Sequence, residues 1–257
     1  MKSLIALALL VPAMAFAASP FEGTWKLKLE SMQFSGSPDK YEISNGSYTC
    51  SSCAPSFTVK ADGTEQPTPV HAVRDHLAVK VVSPMVVELI AKAGGKVTST
   101  DTLTVSADGA KLTDKNVDYT GPKPVTSVAT EKRVAPAPKG AHAISGSWMT
   151  DAIPEVSEAG RIVVVQSTPN GLKYTANGRI SDVKFDGKEY AVQNDPTHAL
   201  VTMKQISDRQ LEERQKREGK IYDIVMWTVA ADGKSMTIVD EDPVHGTKVS
   251  FVVEKQP

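Results

Sequence analysis

The stretch Phe21-Glu-Gly23-Thr-Trp25 returns as Ile144-Ser-Gly146-Ser-Trp148, 123 residues later. A repeat over that distance constrains the fold more than composition can, because the chain must hold one module made twice. Sliding the sequence by 124 extends the match: Val59, Lys60, Asp62, Gly63 and Glu65 fall on Val183, Lys184, Asp186, Gly187 and Glu189. The same offset places Ser83, Glu88, Lys92, Gly95 and Lys96 on Ser207, Glu212, Lys216, Gly219 and Lys220. It also places Thr104, Val105, Ala107, Asp108 and Gly109 on Thr228, Val229, Ala231, Asp232 and Gly233. The closing Glu131-Lys132 falls on Glu254-Lys255 at an offset of 123. Residues 135–141 are a Pro/Ala/Gly linker, too short to let two domains separate far. The predicted division is a leader at 1–17, a first barrel at 20–134, a linker at 135–143 and a second barrel at 144–257.

Each copy reads as all-β. The punctuation consists of hairpin signals: Asn45-Gly46, Asp62-Gly63, Gly94-Gly95, Asp108-Gly109, Asn170-Gly171, Asn177-Gly178, Asp186-Gly187 and Asp232-Gly233. Glycine, and to a lesser degree Asn or Asp, tolerates the positive φ that two-residue hairpin turns need. Between these turns lie β-branched runs at 77–82, 161–166 and 221–230. Many short antiparallel strands without crossover helices imply a closed meander, so the expected fold is two tandem antiparallel β-barrels with little helix outside the leader. Residues 208–217 are helix formers by propensity, but their counterpart at 84–93 is β-rich and ends in the same Gly-Lys. Two copies of one fold share a topology, so 210–217 is expected to be a solvated strand.

The strand that follows differs between the copies. In the first, Thr98, Thr100, Thr102 and Thr104 share one face, and Val97, Leu103 and Val105 the other. In the second, Ile221, Val225, Trp227 and Val229 keep the core face, while the Thr face becomes Tyr222, Ile224 and Met226. A strand apolar on both sides is covered on both sides, so these three are predicted to meet the other barrel or a partner.

The first residues read as a secretory leader, with Lys2 before an apolar run at 4–11 and Ala15-Phe16-Ala17 before the cut. The apolar run is too short to span a bilayer, so no membrane insertion is expected after cleavage. The mature chain is expected in a bacterial periplasm or beyond it. With 29 basic against 30 acidic residues, nothing in the charge points to nucleic acid or an anionic membrane as a partner.

The motifs Gly23-Thr-Trp25-Lys-Leu27, Asp186-Gly-Lys-Glu-Tyr190 and Ser106-Ala-Asp108-Gly-Ala-Lys-Leu-Thr113, with a version of the last at 230–237, carry a resemblance. The chain resembles exported bacterial lipocalin-like proteins, β-barrels of the calycin group without an assigned function, here duplicated in tandem. The resemblance implies that Trp25 and Trp148 pack across the floors of their barrels. It departs from true lipocalins in shorter barrels and in the lack of their later strand motifs; small barrels can be filled by side chains alone.

No catalytic constellation emerges. There is no nucleophile elbow, phosphate loop, His-Glu-x-x-His or paired-carboxylate spacing, so no catalytic residue and no cofactor is assigned. Cys50-Ser-Ser-Cys53 lacks the His that haem attachment needs, and no helix follows to lower a thiol pKa for redox work. A local disulfide is favoured in an oxidising compartment. The alternative is zinc, since Cys50, Cys53, His71 and His76 fall in a Cys-x2-Cys-x17-His-x4-His spacing. Against it stand the long central gap and the strand context, and no metal site is assigned. The remaining His142, His198 and His245, and the acidic run Asp240-Glu241-Asp242, read as turn and surface residues. The expected function is non-enzymatic binding of a small apolar or amphipathic ligand, in one barrel or between the two. The rival is a solidly packed structural or interaction module of the cell envelope.

Overall fold

Asn45-Gly46, Gly94-Gly95 and Asn177-Gly178 carry positive φ at both positions, which matches the twist of the strands they join. Glu218-Gly219 does the same without an Asn or a first Gly. These turns set the pace of a computed structural model that describes residues 19–69 and 74–257. The predicted leader and His71, one of the four residues of the zinc spacing, lie outside the described residues.

The first copy supplies β1 (Gly23–Gly36), β2 (Asp39–Ser44), β3 (Ser47–Cys50), β4 (Phe57–Lys60), β5 (Asp62–Pro67), β6 (His76–Ser83), β7 (Val86–Ala93), β8 (Lys96–Val105), β9 (Lys111–Asp118) and β10 (Val125–Ala135). The second supplies β11 (Gly146–Val156), β12 (Ile162–Thr168), β13 (Gly171–Ala176), β14 (Arg179–Lys184), β15 (Tyr190–Ala191), β16 (Leu200–Ser207), β17 (Gln210–Arg217), β18 (Lys220–Val229), β19 (Ser235–Asp242) and β20 (Thr247–Lys255). Among the described residues the only helical turn is a 3-10 turn at Glu158–Gly160. The segment 210–217 is a strand, held on both sides by β16 and β18, with Leu211 and Glu213 buried.

The strands form two antiparallel sheets of ten, each curled into a nearly closed barrel. The sheets do not coincide with the two copies. One runs β4-β3-β2-β11-β10-β9-β8-β7-β6-β5, the other β14-β13-β12-β1-β20-β19-β18-β17-β16-β15. The first strand of each copy is therefore exchanged into the barrel of the other. In the first barrel β11 lies between β10 and β2, with Gly146 opposite Tyr41 and Trp148 opposite Asp39. In the second, β1 lies between β20 and β12, with Gly23 opposite Val165 and Lys26 opposite Ile162. The first barrel thus occupies one continuous stretch, 39–156, and the second combines β1 with 162–255. The predicted linker at 135–143 sits inside the first barrel and joins β10 to its neighbour β11.

The connection between β1 and β2 gives a reason for the exchange. Only Ser37 and Pro38 separate the two strands, and the residue before a proline is held extended. The chain therefore runs straight from β1 to β2 instead of reversing. Gly36 permits this path: its φ is +115°, and a Cβ there would stand 2.2 Å from the Gly246 carbonyl oxygen.

The seams are closed unevenly. In the second barrel Ile180 and Gln193 exchange backbone hydrogen bonds of 3.1 and 2.8 Å. In the first, the Gln66 side chain does that work: its amide oxygen accepts from the Lys60 N–H at 3.1 Å and its Nε2 donates to the Lys60 carbonyl at 3.4 Å. The repeated Glu65/Glu189 and Lys92/Lys216 of the sequence are ion pairs in both copies, Glu65 with Lys92 and Glu189 with Lys216. All four side chains are partly exposed, so these pairs contribute little stability.

Candidate functional site

Trp25 and Trp148 are fully buried, each in the barrel of the other copy. The Trp148 indole N–H donates to the Ile144 carbonyl and the Trp25 indole to the Phe21 carbonyl, both at 2.7 Å. Arg133 lies over the Trp148 ring at 4.0 Å and Lys255 over the Trp25 ring at 5.3 Å. The register pairs Arg133 with Trp148 and Lys255 with Trp25. The last strands therefore correspond at an offset of 122, and Glu131 corresponds to Val253. The sequence alignment of Glu131 with Glu254 is one residue out in space.

Packed apolar side chains, aromatic as well as aliphatic, form a core cluster in each barrel. Away from the tryptophans the inner faces turn acidic. In the first barrel Asp101 pairs across strands with Leu89; at the equivalent place in the second, Glu213 pairs with Val225. The carboxylate stands on opposite members of the two pairs, and on the next strand Asn116 lies beside Asp101 where Asp240 lies beside Val225. Asp101 accepts from Asn116 Nδ2 at 2.6 Å, and burial pushes its pKa up. Burial raises Asp114 to about 7 and Glu131 to about 8, with neighbouring carboxylates adding to both shifts. In the second barrel burial raises Glu213 to about 7, although it accepts from Tyr174 Oη at 2.7 Å and Gln215 Nε2 at 2.8 Å. Asp223 is raised to about 7 and Asp240 to about 6, by burial first and then by acidic neighbours.

The acidic ends of the two barrels share a cleft of about 780 Å3. From the first barrel it takes Arg74, Ser99, Asn116 and the Cys53–Pro55 loop; from the second it takes Arg179, Arg217, Tyr222 and Val244. Arg179 donates to the Thr120 hydroxyl across the junction. A smaller cavity of about 340 Å3 lies between the barrels too, lined by Asp39, Asp223, Asp240 and Asp242 beside Phe34 and Trp148. Among the described residues no group of His, Cys, Asp and Glu is placed to hold a metal ion.

Cys50 and Cys53 are disulfide-bonded. Their loop is anchored by hydrogen bonds between Lys40 and the backbone of Ser51 and hydroxyl of Ser52, and it borders the large cleft. His76 Nδ1 pairs with Asp75 Oδ1 at 2.9 Å. Tyr222 falls at a β-bulge between β17 and β18. Its hydroxyl donates to Gln215 at 2.6 Å, its ring lies under Arg217 at 4.0 Å, and it lines the cleft. Ile224 and Met226 are half-buried on the outer face, flanked by Arg214 and Glu212 of β17 and by Glu241 and Val239 of β19. His245, read from sequence as a turn residue, lines the cleft and pairs with Asp242 at 2.5 Å.

Sequence reasoning missed the inward carboxylates and the arginines above them. The signal was present: Asp101 and Asp223 stand in the apolar register of Leu103-Val105 and Val225-Trp227-Val229. Scans against protein-family models, curated proteins and solved structures each found no match.

Proposed function

We propose that the protein is an exported, non-enzymatic binding protein of lipocalin-like build, which holds a small amphipathic ligand between its two barrels. The observation that carries this reading is the cleft of about 780 Å3, a size that suits a drug-sized or lipid-sized molecule. Its lining pairs apolar surface from Pro55, Pro69, Ala91 and Val244 with a few fixed polar groups. The packed core clusters argue for a ligand between the barrels over one inside either of them. Native mass spectrometry of protein purified from its own host tests this: one low-mass species per chain is expected. Val244→Trp should displace it without unfolding the protein, because Val244 is 42% exposed and lines the cleft. Bare protein from the host, with a cleft that also takes no amphipathic probe, would overturn the reading.

The rival role, a structural or interaction module of the envelope, draws on Val82 and Ile206. They occupy equivalent positions in the two copies and are 48% and 46% exposed. A co-purifying subunit in place of a small molecule would favour it.

A further inference from the structure

We propose that the cleft holds the oxyanion head of its ligand, a carboxylate or a phosphate monoester, on Arg74 of the first barrel and Arg217 of the second. The inference rests on the binding reading above and names the chemistry of that same cleft.

Two guanidinium groups line the cleft from opposite barrels, and each lies over an aromatic ring. Arg74 lies over Phe57 at 4.9 Å and Arg217 over Tyr222 at 4.0 Å. Stacking of this kind leaves the planar N–H fork open for bidentate contact with an oxyanion. Among the described residues neither arginine has a carboxylate within ion-pair distance. The Nε atoms of both are buried and have no hydrogen-bond acceptor. The nearest sulfur, Cys53 Sγ, is 3.9 Å from Arg74 Nη2 and is a weak acceptor. A buried cationic group without a counter-charge is costly, and an oxyanion held in the cleft that both residues line would offset the charge of the two guanidiniums.

The remaining charges of the cleft do not cancel these two. Arg179 and Lys220 add to them, and only Asp118 and Glu218 oppose. Asp118 already accepts from the backbone and the hydroxyl of Thr120. Asp101 interacts with Arg74 and Asp223 with Arg217, but burial outweighs that attraction and pushes both carboxyls up, Asp223 to about 7, which weakens them as counter-charges. Ser99, Asn116 and Thr197 also line this space, with their donors already given to Asp101 and Asp195, which leaves the arginines to meet the head group. A head group bridging the two barrels would place its apolar tail along Pro55, Pro69 and Val244.

The test is calorimetric titration of the full-length mature protein with four ten-carbon probes: decanoate, decyl phosphate, decanol and decylamine. The two anions are expected to bind at least about ten-fold more tightly than decanol, with decylamine weakest, as charge-assisted hydrogen bonds allow. Arg74→Gln and Arg217→Gln should each weaken the anions about ten-fold and leave decanol unchanged. Arg74→Lys and Arg217→Lys, which keep charge and lose the fork, should fall in between and guard against a folding defect. If decanol and decanoate bind equally and the arginine variants change neither, the cleft binds ligand but the head-group assignment is wrong. Preference for decylamine would also overturn the assignment. If no probe binds, the binding reading itself fails and the assignment with it. Decyl phosphate binding far above decanoate would identify a phosphate as the head; the reverse would identify a carboxylate.

Discussion

Glu213 is 1% exposed in the second barrel, and Glu131 is 7% exposed in the first with Oε2 lacking any partner. Neither has a cation beside it, so burial dominates both and favours the protonated form. The native state keeps a proton on Glu213 up to about pH 7, whereas the unfolded chain releases it near 4.5. Between those values the folded protein binds more protons than the unfolded one, so stability falls as pH rises through that window. Glu131, raised to about 8, extends the loss further upward. The melting temperature is therefore expected to be higher at pH 5 than at pH 8. Glu213→Gln, which keeps an acceptor for Tyr174, should raise stability at pH 8 by roughly 1–3 kcal/mol and flatten the profile. A melting temperature that is highest at pH 8 in the wild type would show that these carboxylates ionise without penalty. Such residues were legible only as exceptions. The alternation on β8 and β18 marked the inner face through Leu103, Val105, Trp227 and Val229, yet Asp101 and Asp223 share that face. Composition treats an Asp in that register as solvated, and only the closed barrel shows otherwise.

Strands were the most legible level of this molecule, because turn chemistry is local and φ > 0 has few solutions. The segment now seen as β17 shows the limit of propensity: residues 210–217 favour helix one at a time, yet ladders on both sides and a buried Leu211 hold them extended. Asn170-Gly171 read as a hairpin turn for the wrong reason. Gly171 opens β13 with no positive φ, and what it supplies is space, since a Cβ there would lie 1.9 Å from the Val183 carbonyl oxygen. Gly171→Ala should therefore cost about 2–3 kcal/mol or more by forcing β13 and β14 apart. Gly187→Ala makes a control, with a strained φ of +71° and nothing within 4 Å, and should cost about 1 kcal/mol. Equal losses in chemical denaturation would refute the close-approach argument. The Cys50–Cys53 loop was visible in sequence, but its place beside the cleft was not, since that depends on the second barrel. Closing so short a loop contributes about 2 kcal/mol or less. Replacing both cysteines by Ser should lower the melting temperature by a few degrees, and should weaken probe binding at the cleft more than it affects distant amide exchange.

At the scale of the whole chain, the repeat was legible and the exchange was not. Similarity between copies says that two barrels form, but the shared Gly-x-Trp opening of the two first strands does not say which barrel each one joins. The choice falls to connections: Ser37-Pro38 runs straight from β1 to β2, whereas the 136–145 segment folds back so that β11 lies against β10. That segment is itself held in the first barrel. Arg133 donates to the Ser145 and Ala143 carbonyls at 2.5 and 2.7 Å, Ile144 is fully buried, and the Ile43 N–H donates to Ser145 Oγ at 2.9 Å. Foldable units should therefore follow the sheets and not the sequence copies. Residues 37–157 expressed alone should give a cooperatively unfolding barrel with dispersed amide resonances. Residues 19–135, a complete sequence copy, lack β11 and must turn β1 back against the extended Ser37-Pro38 step, so they should remain poorly packed. Residues 157–257 lack the strand between β12 and β20, and expose two unpaired edges to aggregation until one is supplied. A peptide of residues 19–37 added in trans should restore their fold, with Trp25 becoming buried as its fluorescence shifts to the blue. A well-folded 19–135 fragment beside an unfolded 37–157 fragment would mean that the first strands prefer their own copies, and that the exchange does not belong to this chain.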